Sequence, residues 1–205
     1  MITEVKNNEL YWAKVKPDAI IPTKDKENAG YDIYACFEEA YIVIPPHGTK
    51  LVPTGIAAAV SPNYYLQAQE RGSTGSVGMK YGAGVIDSSY RGQIFICINN
   101  INDETIIIGK ELSLDDLFGK YGKDDGGGYI YLPYDYNKQD EINDNDVYEC
   151  DDEDVYKPIY HPYSKAIAQL IVHDVHEMDE QEITYEELKN IPSKRGTGAL
   201  GSSGK

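Results

Sequence analysis

Read for its alternation of apolar and polar positions, the first hundred residues break into short runs rich in Ile, Val and Tyr, with Pro, Gly and Asn between them. The runs are YWAKVK, YDIYACF, AYIVIPP, TKLVPTGIAAAV, YYLQAQ, GAGVID and QIFICINN; a second group, IYHPY and KAIAQLIVHDV, follows late in the chain. Runs of this length and composition, punctuated by turn formers, predict the strands of an all-β sandwich or barrel. Extended helical periodicity is absent. Capping boxes predict two short helices, one from Ser113 and Asp116 (SLDDLFGKYG) and one from Thr184 and Glu187 (TYEELKNI), the second stopped by Pro192.

Two stretches do not follow this pattern. Residues 113–161 hold fourteen acidic residues against four lysines, about −10 of the chain's net −15, together with many tyrosines and a GGG run. Such a composition reads as an acidic, tyrosine-rich insertion on the surface. Its aromatic rings call for a surface to pack on, either this protein's own or a partner's. The last residues, SKRGTGALGSSGK, are nearly all Gly, Ser and cations and cannot build a core element. They read as a flexible arm (193–205) whose backbone N–H groups can wrap a phosphate chain, with Arg195 as anchor. The remainder, 1–192, reads as one β domain carrying the insertion.

The charge balance narrows the partners. A net charge of −15 and a pI near 4.6 disfavour general binding to DNA or RNA, because such a surface repels phosphate backbones. A small anion can bind only where local cations and N–H groups override that field. Cys36, Cys97 and Cys150 form no C-x-x-C pair, which argues against a disulfide framework or a zinc site; Cys36 and Cys97 lie in apolar runs and read as buried fillers. No stretch approaches the roughly 18 apolar residues of a membrane span, and the start of the chain has no signal-like apolar segment. The expected location is the cytoplasm (the bacterial cytoplasm for a phage or bacterial source), without membrane contact.

Candidate chemistry centres on GAGVIDSSYRGQIFICINN. An apolar strand ends in Asp87, a turn follows at Ser88 and Ser89, and Tyr90-Arg91-Gly92 opens a second strand, so a carboxylate and an aromatic ring sit at the mouth of a β-hairpin. Alone, Asp87 is an ordinary turn residue. Other segments give it context: AGYDIYA (29–35), QERGSTG (69–75), KAIAQL (165–170) and RGTGALGSSG (195–204). With GVIDSSYRG these resemble, in order, the five motifs of trimeric dUTPases.

The resemblance implies a distorted jelly-roll barrel that assembles as a homotrimer and hydrolyses dUTP to dUMP and pyrophosphate, a dUTP diphosphatase that keeps uracil out of DNA. It implies Asp87 as the general base for in-line water attack on the α-phosphorus, Tyr90 against the deoxyribose, and the backbone at Gly84, Val85 and Ile86 on the uracil edge. For the phosphates it implies Arg71, Gly72, Ser73, Thr74 and Gln169, with Arg195, Leu200, Gly201 and Ser202 closing from the arm. Mg²⁺ is expected mainly on the phosphates, with Asp32 assisting through water.

Two positions depart from the family pattern. Gly72 follows Arg71 where a serine is usual, so the hydroxyl is missing or comes from Ser73 or Thr74. Leu200 stands where the arm usually carries an aromatic ring, and Leu200→Phe is expected to lower KM. His173 and His176 lie three apart on a predicted strand, on opposite faces, and make a poor metal pair; Trp12 reads as a packing residue. A related enzyme of the same fold, a dCTP deaminase, is the alternative activity. A different class of role is a derepressor or signalling protein: phage members of the family carry inserts between the third and fourth motifs, and the acidic segment suits a basic, repressor-like protein partner.

Overall fold

The computed structural model describes residues 2–110, 130–131, 148–149, 158–194 and 196–197. Strands dominate. In chain order they are β1 (Leu10–Lys14), β2 (Gly30–Ile33), β3 (Tyr41–Ile44), β4 (Thr49–Pro53), β5 (Ile56–Val60) and β6 (Tyr64–Gln69). A one-turn helix α1 (Gly72–Gly75) then precedes β7 (Met79–Gly82), β8 (Val85–Ile86), β9 (Phe95–Asn100) and β10 (Ile106–Gly109). The two-residue strands β11 (Ile130–Tyr131) and β12 (Tyr148–Glu149) lie within the acidic stretch and pair with each other. β13 (Ile159–Pro162), β14 (Ala168–Asp174) and a short helix α2 (Tyr185–Asn190) follow.

The strands form small sheets around one core. β2-β14-β6-β8 and β4-β9-β7 are the larger ones, with β13-β10-β3 and the pair β1-β5 beside them. Alternation explains the register: in β9, Ile96 and Ile98 point inward while Phe95, Cys97 and Asn99 point out. Ile33, Ile44, Val52, Leu66, Met79, Ile106, Ile108 and Leu170 join them in the core, each large apolar side chain stabilising by roughly 1.5–3 kcal/mol. Cys36 is buried as expected, but Cys97 is only half-buried, because the strand period turns it to the outer face between Leu51 and Gly82. Trp12 packs on the core with its ring edge-on to Tyr31.

Some boundaries differ from the sequence pattern for local reasons. TKLVPTGIAAAV is two strands, broken at Gly55, whose φ of +66° and close neighbours Ala19 and Cys36 leave no room for a side chain. β10 escaped notice because IIIG is buried throughout and shows no alternation. It pairs parallel with β13 and antiparallel with β3. The acidic stretch therefore falls in the connection between parallel neighbours, which demands a long crossover rather than a turn.

The chain divides into two compact units, 1–175 and 176–205. The second contains α2, capped as predicted by Thr184, whose side chain accepts from the Glu187 N–H. The expected arm boundary at 193 falls inside this unit. The helix expected at Ser113 lies outside the described residues.

Candidate active site

The site begins with a strand register. β14 lies between β2 and β6, so Asp32, Gln169 and Gln69 stand side by side across three strands. Beyond Gln69 the chain leaves the sheet and turns into α1, bringing Arg71 back over β2. There the guanidinium meets Asp32 in a fork, Nε to Oδ1 at 2.8 Å and Nη2 to Oδ2 at 3.1 Å. A fork of this kind fixes the plane as well as the position of the guanidinium. Its remaining nitrogen, Nη1, reaches the Ala166 carbonyl and the Ser73 hydroxyl, each at 3.4 Å. Gln169 donates from Nε2 to the Glu70 carbonyl at 2.7 Å and ties the start of the turn to β14.

These residues line a polar cleft of ≈ 430 Å³, with Gly30, Asp32, Arg71, Gly72, Ser73 and Gln169 among its walls. Here the structure separates the two hydroxyl candidates. Thr74 is fully buried, and its Oγ1 accepts from the Arg71 N–H at 3.1 Å and bonds the Tyr81 hydroxyl at 3.0 Å. It faces the fold interior, which leaves Ser73, the exposed one of the two alternatives, to present a hydroxyl to the cleft. Gly72 has no heavy atom within 4 Å of where a Cβ would sit, so its glycine answers no packing demand.

Tyr81 is the residue that sequence reasoning missed. Its hydroxyl bridges Thr74 to the Ile167 carbonyl, beneath the cleft. Burial pushes its phenol up to about 12, so the hydroxyl keeps its proton at any working pH. Nothing in MKYG distinguishes such a tyrosine from a core filler. His161 is likewise buried, with Nε2 3.3 Å from the Lys165 carbonyl; burial holds its imidazole below the ordinary histidine range.

The third motif takes a different form from the hairpin read off the sequence. The antiparallel arms are β7 and β9. Between them the chain swings across to the other large sheet, where β8 pairs with β6 as its edge strand. The Ala68 N–H donates to the Gly84 carbonyl at 2.8 Å, and Ile86 stands opposite Leu66. By ladder alternation the N–H and C=O of Val85 point away from β6, along the open edge. A turn closed by Tyr90 N–H to Asp87 C=O follows, with both side chains exposed. Tyr90 folds back: its hydroxyl donates to the Gln93 carbonyl at 2.8 Å, and a Cβ on Gly92 would meet that hydroxyl at 2.5 Å.

One chain thus gathers Asp32, Arg71, Gly72, Ser73 and Gln169 in a cleft, while Gly84, Val85, Ile86, Asp87 and Tyr90 do not line it. Arg195, Leu200, Gly201 and Ser202 lie outside the described residues, so nothing here bears on them. Among the described residues no group of three or more His, Cys, Asp or Glu is arranged to hold a metal. No helix among them is long and apolar enough to cross a membrane.

The sequence model of the dUTPase family matches residues 16–112, which include Asp32, Arg71, Asp87 and Tyr90 but not Gln169. A deoxyuridine 5′-triphosphate nucleotidohydrolase of Leptospira interrogans is 32% identical over 113 residues, 53% of this chain and 77% of that protein. The chain belongs to the dUTPase family. Like its members it is a hydrolase of a phosphoric anhydride, converting dUTP to dUMP. The fold agrees. The dUTPase of Staphylococcus bacteriophage 80alpha, solved with dUpNHpp, superposes with a TM-score of 0.63 at 21% identity, covering 97% of this chain and all (100%) of that one. A point mutant of the dUTPase from phage phi11 of S. aureus, described for the coordination of a structural Mg(II) ion, covers 87% of this chain and 99% of its own at 19% identity and a TM-score of 0.54. The architecture is the family's jelly roll.

Proposed function

We propose that dUTP is hydrolysed in a site built from more than one copy of this chain, a homotrimer, with the phosphates in the Arg71 cleft of one copy and the deoxyuridine at β8 and Tyr90 of another. The observation that supports this is a separation within one chain: a polar cleft that holds Arg71, and an exposed carboxylate-bearing loop that does not line it. Each half lacks what the other has. The arm residues Arg195, Gly201 and Ser202 close on the γ-phosphate in this reading, and Leu200 covers the uracil.

The chemistry assigned to each residue follows from its surroundings. Val85, on an open strand edge, offers one donor and one acceptor to the uracil face; cytosine would leave them mismatched, a discrimination that can reach several orders of magnitude. Tyr90, pinned over Gly92, stands against the sugar and leaves no room for a 2′-hydroxyl. Asp87 is the general base, taking a proton from the water that attacks the α-phosphorus; positioned bases of this kind contribute about 10²–10⁴-fold. Arg71 and Ser73 orient the phosphates and neutralise charge that develops on the leaving pyrophosphate. Mg²⁺, when bound on the phosphates, adds Lewis-acid stabilisation of that leaving group. Asp32 fits an assisting role through water, since it borders the cleft and each of its carboxylate oxygens, bonded once to Arg71, keeps a lone pair.

Pyrophosphate release against a panel of dNTPs, with Asp87→Asn as control, tests the substrate. Mixing tests the shared site. Asp87→Asn and Arg71→Gln, each inactive alone, are expected to recover activity when unfolded and refolded together; a mixture that stays inactive would assign both halves to one chain. A protein-binding role for the acidic stretch is supported by its charge, about −10 on residues 113–161. Deleting residues 113–157, which leaves β13 in place, should abolish binding to a basic, repressor-like partner and spare hydrolysis.

A further inference from the structure

The loop that carries Arg71 and Ser73 is held from below at several points. The Tyr81 N–H reaches Glu70 Oε1 at 3.4 Å, at the loop's entrance. The Tyr81 hydroxyl meets Thr74 at its exit. The same hydroxyl bonds the Ile167 carbonyl, and the Ile167 N–H donates to the Ile33 carbonyl at 2.9 Å, next to Asp32. Neighbouring carbonyls of that segment serve alike: Lys165 meets His161, and Ala166 meets Arg71 itself. The Ala166 and Ile167 carbonyls, with the Ile167 N–H, therefore join the strand of Asp32 to the loop of Arg71, while the Lys165 carbonyl ties the same segment to β13.

We infer that Tyr81 is a positioning residue for phosphate binding: by bridging Thr74 to the Ile167 carbonyl, its hydroxyl fixes the loop that aims Arg71 and Ser73 into the cleft. The inference rests on the reading of that cleft as the triphosphate site. A phenylalanine would fill the same space in the core, so packing alone does not call for the hydroxyl. Gly72 does. It stands in the middle of the loop with open space around it, and a glycine there leaves the backbone the most freedom to lose on ordering. A loop softened at Gly72 and clamped at Glu70 and Thr74 keeps its geometry. The clamp does not touch substrate, so it should act on phosphate affinity rather than on the chemical step.

The test compares binding of dUMP with that of dUpNHpp in the full-length protein. Tyr81→Phe should weaken dUpNHpp about five- to tenfold, the worth of one net hydrogen bond at its upper end. Binding of dUMP should stay within about twofold and KM should rise with little change in kcat, since the β- and γ-phosphates alone depend on the clamp. Thr74→Val should reproduce this from the other end of the bond and serves if Tyr81→Phe fails to fold; Thr74→Ser, which keeps the hydroxyl, should restore it. In a Gly72→Ser background the Tyr81→Phe effect should shrink. Equal losses of dUMP and dUpNHpp binding, or no loss of either, overturn the positioning role if Arg71→Gln still weakens dUpNHpp selectively. If Arg71→Gln leaves dUpNHpp binding untouched, the phosphate cleft itself is misread and this inference falls with it.

Discussion

The two halves of the site are built on opposite principles. In and beneath the Arg71 cleft the central polar groups are already engaged: Asp32 with Arg71, Gln169 with Glu70, Thr74 with Tyr81. In the loop from Gly84 to Gly92, Asp87 is exposed and Val85 lies on a free strand edge, while Tyr90 is tied to the Gln93 carbonyl. The contrast matches the two tasks proposed for them. Binding a triphosphate in a protein of net charge −15 requires cations fixed in advance, because the surrounding field opposes the ligand. Abstracting a proton and reading a base require groups still free to bond. A rigid receptor and an unengaged reader can be combined when a second copy joins them.

The sharpest way to break the comparison is to remove the free carboxylate. Asp87→Asn should lower kcat by about 10³-fold or more while thermal stability stays within a degree or two, since Asp87 supports nothing in the fold. A large loss of stability would mean that the loop is as networked as the cleft. Next in size is Gly92→Ala. The added methyl meets the Tyr90 hydroxyl and should push the ring off its seat, reducing discrimination between dUTP and UTP about tenfold, measured as the ratio of kcat/KM values. Unchanged discrimination would release Tyr90 from the sugar-reading role.

On the cleft side, Gly72→Ser should fit without strain and add a hydroxyl beside the phosphates. A lowering of KM by about two- to tenfold is expected, the worth of one net hydrogen bond; a raised KM would show that the loop needs its glycine. The smallest effect concerns pH. Because His161 titrates below its ordinary value of 6.5 in the folded protein, the unfolded chain takes up its proton first as pH falls. Stability from this group is full above pH 6.5 and declines on acidification toward the folded value. His161→Gln should flatten that part of a Tm–pH curve, and an unaltered slope would locate the acid sensitivity elsewhere.

Most strands are legible because runs rich in Ile, Val and Tyr stop at Pro, Gly or Asn, as in QIFICINN, or carry a polar outward face, as in YYLQAQ. β10 is not, since a strand buried on both faces carries no alternation to read. The residues of the cleft were legible only through motif wording: Asp32 and Arg71 lie far apart in sequence, and no local pattern announces a fork between them. The choice between Ser73 and Thr74 is not legible for a related reason. A hydroxyl next to a phosphate-binding loop looks available until the fold shows which side of a one-turn helix it occupies. The hairpin was half legible: its loop was found at Asp87 and Tyr90, but one arm was assigned to β8, which belongs to the opposite sheet. Pairing across sheets is decided by the core, and a single segment does not contain that information.

The parallel pairing of β10 with β13 has a further consequence. A connection that must already travel from one end of a strand back to the start of its neighbour sets a minimum length but no maximum. Doubling it costs only about 0.6 kcal/mol in closure entropy. This junction is therefore where the molecule can acquire or discard sequence most cheaply over evolutionary time, with the barrel and its cleft indifferent to what is grafted there.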